Sequence, residues 1–141
     1  MKAIYSAPER TGDLARRPVT TVMSRPVASV PEDMVLGDAL RAMVRLRHRH
    51  LVVLGRDGGC VGVLADRAIA AAWAHDPQSL SVRPVRSALP GPPAVVGEGA
   101  KVLDVARLMR VTGVDAVVVV DPDGRPAGIV TGTDLVALLA R

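Results

Sequence analysis

Residues 116–135 read Ala116-Val-Val-Val-Val-Asp-Pro-Asp-Gly-Arg-Pro-Ala-Gly-Ile-Val-Thr-Gly-Thr-Asp-Leu135. The unbroken aliphatic run Val117 to Val120 is the pattern of a strand buried on both faces. Pro122-Asp123-Gly124-Arg125 supplies a tight hairpin turn, with a glycine free to take positive φ. The return run is Ala127-Gly128-Ile129-Val130, and a helix is expected over about Thr133 to Ala140. Sixty-six residues earlier the chain does the same thing. Residues 50–69 read His50-Leu-Val-Val-Leu-Gly-Arg-Asp-Gly-Gly-Cys-Val-Gly-Val-Leu-Ala-Asp-Arg-Ala-Ile69, which is strand, turn, strand and the start of a helix over about Asp66 to His75.

Working outward, the same offset aligns residues 18–69 with 84–135 without a gap, and 14 of the 52 pairs are identical. Roughly four would arise by chance from ordinary residue frequencies. The identities fall at core aliphatics (Val30/Val96, Val52/Val118, Val53/Val119), turn residues (Asp57/Asp123, Gly58/Gly124) and helix starts (Asp38/Asp104). This is the mark of one supersecondary unit used twice. Each unit opens with a short extended piece, Val27 to Val30 or Ala94 to Val96. A helix follows, with an apolar stripe in the first unit at Leu36, Ala39, Leu40, Met43 and Leu46. The expected fold is α+β: two tandem β-α-β-β-α repeats, 18–74 and 84–141, with a lead-in over 1–17 and a linker over 75–83. Neither unit, at about 55 residues, can bury both faces of its sheet alone, so the two pack on each other as one module.

Composition excludes several functions. Tyr5 and Trp73 are the aromatic residues and phenylalanine is absent, so a base-stacking platform for single-stranded nucleic acid is missing. The formal charge of +4 suits an anionic partner, but basicity alone is weak evidence for nucleic acid. Cys60 is the single cysteine, which rules out an intramolecular disulfide framework and a multi-cysteine zinc site. The longest apolar runs, 68–74 and 116–120, are too short to span a bilayer. No leader pattern is visible, so a cytoplasmic protein is the expectation. No nucleophile–base pair, metal-spacing cluster or paired acids stands out, so an enzyme is not expected.

The segments Arg25-Pro-Val-Ala-Ser-Val-Pro-Glu32, His50-Leu-Val-Val53 and Gly128-Ile-Val-Thr-Gly-Thr-Asp-Leu135 resemble the tandem CBS domain, the regulatory pair named after cystathionine β-synthase. The resemblance covers about residues 18–140. It implies a pseudo-two-fold pair that binds AMP, ADP or ATP, and sometimes S-adenosylmethionine, in clefts between the repeats. It also implies a disc-like homodimer that signals to a protein effector, and the expectation is of a stand-alone pair without an attached effector domain.

The resemblance places the ribose at Asp134, with Thr131 and Thr133 beside it, and one carboxylate can accept from two adjacent hydroxyls. The equivalent positions in the first repeat are Ala68, Ala65 and Arg67. It draws phosphate cations from the opposite repeat, where Arg47, His48, Arg49 and His50 stand, with Arg67 at the following helix start. The equivalents of residues 47–50 for the other cleft are Gly113, Val114, Asp115 and Ala116. Adenine is expected near Arg25, Val27 and Ala28, with Ile129 as an apolar wall. The plainer readings are that Asp134 merely caps a helix and that the arginines merely complement a helix end. The leading expectation is one adenine-nucleotide site per chain, S-adenosylmethionine being disfavoured by its sulfonium cation. The alternative is a structural dimerisation module with a vestigial cleft. An Asp134 substitution is expected to spare folding.

Overall fold

The computed structural model describes residues 8–141; of the lead-in, residues 1–7 lie outside the described part. A helix α1 (Pro8–Ala15) comes first. The first repeat then comprises β1 (Ser29–Pro31), α2 (Leu36–Leu46), β2 (His50–Leu54), β3 (Cys60–Ala65) and α3 (Asp66–His75). A short α4 (Ser79–Val82) precedes the second repeat: β4 (Val95–Gly97), α5 (Val102–Thr112), β5 (Ala116–Val120), β6 (Pro126–Thr131) and α6 (Gly132–Leu139). The β-α-β-β-α order expected from the repeat is present twice.

Each half carries a three-stranded sheet, β1-β2-β3 or β4-β5-β6, whose first pair is parallel and second antiparallel. The register is the same in both after the 66-residue shift. Val30 pairs with Val53 as Val96 does with Val119, and Val52 pairs with Val63 as Val118 does with Ile129. The central strands are buried on both faces, as their aliphatic runs predict: Leu51, Val52, Val53 and Val117 to Val119 are fully buried. Val30, Leu36, Ala39, Met43, Leu51, Val53, Leu64 and Ile69 form one core, and Val102, Val105, Val117, Val119, Val130, Leu135 and Leu138 the other.

Three local expectations need correction. The edge strands β1 and β4 start one or two residues later than Val27 and Ala94, whose neighbourhood crosses between the halves instead. Leu46, expected in the buried stripe of α2, lies exposed at its last turn. The linker over 75–83 is not featureless, because α4 sits against α2 with the Leu80 carbonyl over Gly37, where a side chain would collide with it. Two apolar residues, Leu80 and Val82, in a four-residue helix are too short a pattern to read as an element.

The halves exchange their leading segments. Val19, Val22 and Met23, which the sequence assigns to the first repeat, pack into the second core, while Val85, Ala88 and Leu89 pack into the first. Matching backbone clamps fix the exchange. Val19 N donates to Ala100 O (2.9 Å) and Val102 N to Arg17 O (2.9 Å). Sixty-six residues on, Val85 N donates to Met34 O (2.7 Å) and Leu36 N to Arg83 O (2.9 Å). The exchange also explains the identical glycines of the return strands. Met23 covers Gly128 and Leu89 covers Gly62, so a Cβ at either position would overlap the incoming side chain.

Candidate functional site

Two cavities lie between the repeats and are symmetry mates. The first, about 230 Å³, is lined by Arg47, His48, Arg49 and His50 from the first repeat and by Ile129, Thr131, Thr133 and Asp134 from the second, with Ser24 at one edge. Subtracting or adding 66 gives Gly113, Val114, Asp115, Ala116, Val63, Ala65, Arg67, Ala68 and Pro90. Every one of these lines the second cavity, of about 520 Å³. The clefts share a backbone plan and differ in chemistry.

Asp134 is placed by the start of α6. Thr131 is the N-cap: its Oγ1 accepts from Asp134 N (3.2 Å), and Asp134 Oδ2 accepts from Thr131 N (2.8 Å). This reciprocal capping box satisfies two of the free N–H groups of the first turn. One carboxylate oxygen is therefore committed to the helix, while Asp134 lines the cavity with Oδ1 in no hydrogen bond. Asp134 is thus a capping-box residue as well as a candidate ligand-binding group, and this geometry argues that its replacement lowers stability rather than sparing folding. Loss of such a cap costs about 1 kcal/mol.

The opposing wall comes from the end of α2. His48 N donates to Met43 O (3.0 Å) across a left-handed residue, Arg47, at φ 59° and ψ 40°. Its mate in the second repeat, at the end of α5, is Gly113 at φ 75°. Glycine suits that conformation, whereas a residue with a Cβ is held there at a cost of about 1–2 kcal/mol. Arg49 follows, with Nε 3.4 Å from Asp66 Oδ2, and then His50, with Nε2 3.3 Å from Asp115 Oδ1 of the other repeat.

Of the residues expected at the site, Asp134, Thr131, Thr133, Arg47, Arg49, His50 and Ile129 share the smaller cavity. Arg67 does not line it. It stands in an adjoining groove with Arg49, His50, Asp66, Asp115 and Thr133, its Nη2 3.9 Å from Asp115 Oδ2. Arg25, Val27 and Ala28 are also outside it, and Ala28 packs against the first core. The reason is a bridge one residue earlier. Ser24 N donates to Ile129 O (2.9 Å) and Ile129 N donates to Ser24 O (3.1 Å), which draws the crossing segment onto β6.

At the mate position Pro90 has no N–H, so half of this bridge is chemically impossible. There the segment Gly91-Pro92-Pro93-Ala94 stands away from β3 and lines the roomier cleft. Ser24 and Asp115 are the residues whose place at the site the sequence reading missed. The Ser24/Pro90 mismatch in the repeat alignment was the available signal for the first.

Cys60 is half-buried, its Sγ–H directed at Gly62 O (3.5 Å), and burial pushes its thiol pKa up, so it is a packing residue rather than a reactive one. No described helix is long and apolar enough to cross a membrane.

The architecture is that of a tandem pair with two related clefts, only one of which sets a carboxylate and hydroxyls at its helix start, Asp134 with Thr131 and Thr133, opposite arginines; the other has Ala68 there and Asp115 on the facing wall. The CBS domain family model matches residues 19–75 and 85–141, and the chain belongs to that family. It is 29% identical over 133 residues to a CBS domain-containing protein of Dictyostelium discoideum, covering 87% of this chain and 91% of that one. The fold is also that of the CBS domain of a bacterial CNNM/CorC family Mg2+ transporter in complex with ATP (TM-score 0.81, 23% identity, 94% of this chain and 93% of that one). A third similar structure is CBSX2 in complex with AMP (TM-score 0.72, 27% identity, 86% of this chain and 94% of that one).

Proposed function

We propose that this chain is a regulatory module that binds one adenine nucleotide in the Asp134 cleft and passes its occupancy to a protein effector. The observation that carries this reading is the asymmetry of two clefts matched position by position. Asp134, Thr131 and Arg49 stand in one; Ala68, Ala65 and Asp115 stand in the other. The ATP and AMP bound to two structures of this fold support the ligand class. In this reading Asp134 Oδ1 accepts from the ribose hydroxyls and Thr131 and Thr133 flank it. Arg47, Arg49 and His50 meet the first phosphate, and Ile129 lies against the base.

A cavity of 230 Å³ is below the roughly 300 Å³ at which ligand pockets usually begin. The phosphate end therefore extends into the groove beyond His50 and Thr133, where Arg67 stands. The base reaches Arg25, Val27 and Ala28 only if the Ser24–Ile129 bridge parts. Calorimetry with AMP, ADP, ATP, GTP and S-adenosylmethionine tests the assignment. The expected result is one adenine nucleotide per chain, with S-adenosylmethionine weaker because its sulfonium faces arginines. Binding of two nucleotides per chain, or of no adenosine compound, would refute it.

The module is a homodimer in this proposal. Repeat mates on α3 and α6 present Ala70, Trp73, Val136 and Leu139 outward, and Trp73 is 54% exposed. Val136 is 67% exposed and Leu139 is 43%. Aliphatic and indole surface of this kind, on helices otherwise packed against their own sheets, is what a second copy covers. Sedimentation at micromolar concentration should give the mass of two chains, and Trp73→Glu with Leu139→Glu should give one. A single-chain mass for the unmodified protein would end this reading. The dimerisation module with a vestigial cleft remains as the second reading, and it rests on the same exposed face.

A further inference from the structure

We infer that Asp115 limits the length of the phosphate chain the Asp134 cleft accepts, so that a nucleoside monophosphate is bound in preference to a triphosphate. This rests on the nucleotide reading above and adds a selectivity to it. Asp115 lies between α5 and β5, at the position in the second repeat that corresponds to Arg49 in the first. It does not line the Asp134 cavity. It does line both spaces that open from that cavity's rim at His50 and Thr133. One, of about 570 Å³, also holds Arg49, Asp66 and Arg67, and the other, of about 380 Å³, holds Thr131, Gly132 and Val136.

A phosphate attached to a ribose at Asp134 sits among Arg47, Arg49 and His50. A second and third phosphate must leave that cavity, and both neighbouring spaces that share His50 and Thr133 with it are lined by Asp115. The cations on the way out are already engaged. Arg49 Nε is 3.4 Å from Asp66, Arg67 Nη2 is 3.9 Å from Asp115, and His50 Nε2 is 3.3 Å from Asp115. Among the described residues, Arg47 is the arginine of the cavity that enters no ion pair with a carboxylate. The phosphate end of the cleft therefore offers one arginine outside any ion pair, Arg47, to a single phosphate of roughly −1.5 to −2, while Asp134 stands at the ribose end. A longer chain brings more negative charge into a space that opposes it with a carboxylate and whose arginines are already paired, a repulsion that solvent reduces but does not remove.

The test is calorimetry of AMP and ATP, with chelator and separately with Mg2+, on the full chain, on Asp115→Asn and Asp115→Ala, and on Asp134→Ala as a control. The Asp115 backbone carbonyl accepts from Gly132 N (2.8 Å), and the substitutions leave that bond in place, so the fold is retained. In chelator the unmodified chain should bind AMP at least tenfold more tightly than ATP. Asp115→Asn should shrink that ratio to about threefold or less by tightening ATP, with AMP moving by no more than about twofold. An unchanged ratio in both variants, with AMP still lost in Asp134→Ala, would overturn the selectivity and leave the nucleotide site standing. ATP binding more tightly than AMP to the unmodified chain would do the same. So would ATP binding that appears only with Mg2+ and vanishes in Asp115→Asn, since Asp115 would then hold the metal instead of repelling the phosphate. Absence of AMP binding by the unmodified chain would overturn both.

Discussion

Asp134→Ala should bind AMP 10- to 100-fold more weakly than the unmodified chain. The loss follows from what Oδ1 can do while Oδ2 stays on Thr131 N. A hydrogen bond to a charged group contributes about 1.5–3 kcal/mol, and each 1.4 kcal/mol is tenfold in affinity. The alanine variant also loses the Asp134 half of the α6 capping box, while Thr131 keeps its own bond to the N–H of residue 134, so its melting temperature should fall by a few degrees, the equivalent of about 1 kcal/mol or less. The two losses can be separated with 2′-deoxy-AMP. It should bind the unmodified chain more weakly than AMP does, and should show almost no further deficit in the variant, whose partner for that hydroxyl is already gone. A variant that melts early but binds AMP normally would show that Asp134 is a cap and nothing more.

Arg47→Gly is expected to move stability and binding in opposite directions. At φ 59° the arginine is held where glycine rests without strain, as its mate Gly113 does. Relief of about 1–2 kcal/mol is partly offset by the greater freedom glycine gains in the unfolded chain, leaving a net gain of roughly 0.5–1 kcal/mol. The ligand-free melting temperature should therefore rise by about 2–4 °C. AMP should bind about tenfold more weakly, because the variant loses the cavity's arginine that is free of any carboxylate. Adenosine, which has no phosphate, should be little affected. A variant with higher stability and unchanged AMP affinity would remove Arg47 from the phosphate site. Strained residues are retained where something other than stability holds them, and here the candidate reason is a positive charge at the mouth of the cleft.

Much of this architecture was legible in the sequence because the repeat supplied two readings of each element. The 66-residue offset reproduces the strand register residue for residue, and α3 runs from Asp66 to His75 as expected. The chemical contrast between Asp134 and Ala68 was visible in the same alignment. The exchange of leading segments was not. Val19 and Val85 are identical, and each suits either core, so local pattern cannot say which core receives which segment. Only the tertiary clamps at Ala100 and Met34 decide it. The adenine-side residues fell outside the cavity for a related reason. Arg25, Val27 and Ala28 follow Ser24, and whether they face the cleft depends on a backbone bridge to Ile129 from a strand more than a hundred positions away. The engagement of Arg67 by Asp115 likewise joins residues of opposite repeats.

The exchange has a mechanical consequence. Val19 is anchored in the second core and Val30 in the first, and the chain between them carries Ser24 along the rim of the Asp134 cleft. The stretch from Val85 to Val96 runs between the same two cores in the opposite sense, with Pro90 on the rim of the other cleft. Each is a tendon with one end fastened in each core. Widening a cleft and rotating the cores are then one degree of freedom rather than two. On the Asp134 side the tendon is stitched to β6 by the two Ser24–Ile129 bonds; on the other side proline leaves it slack. A ligand that parted Ser24 from Ile129 would therefore pull on a segment fastened in both cores, and the width of a cleft a few ångströms across is tied to how the two halves of the molecule meet.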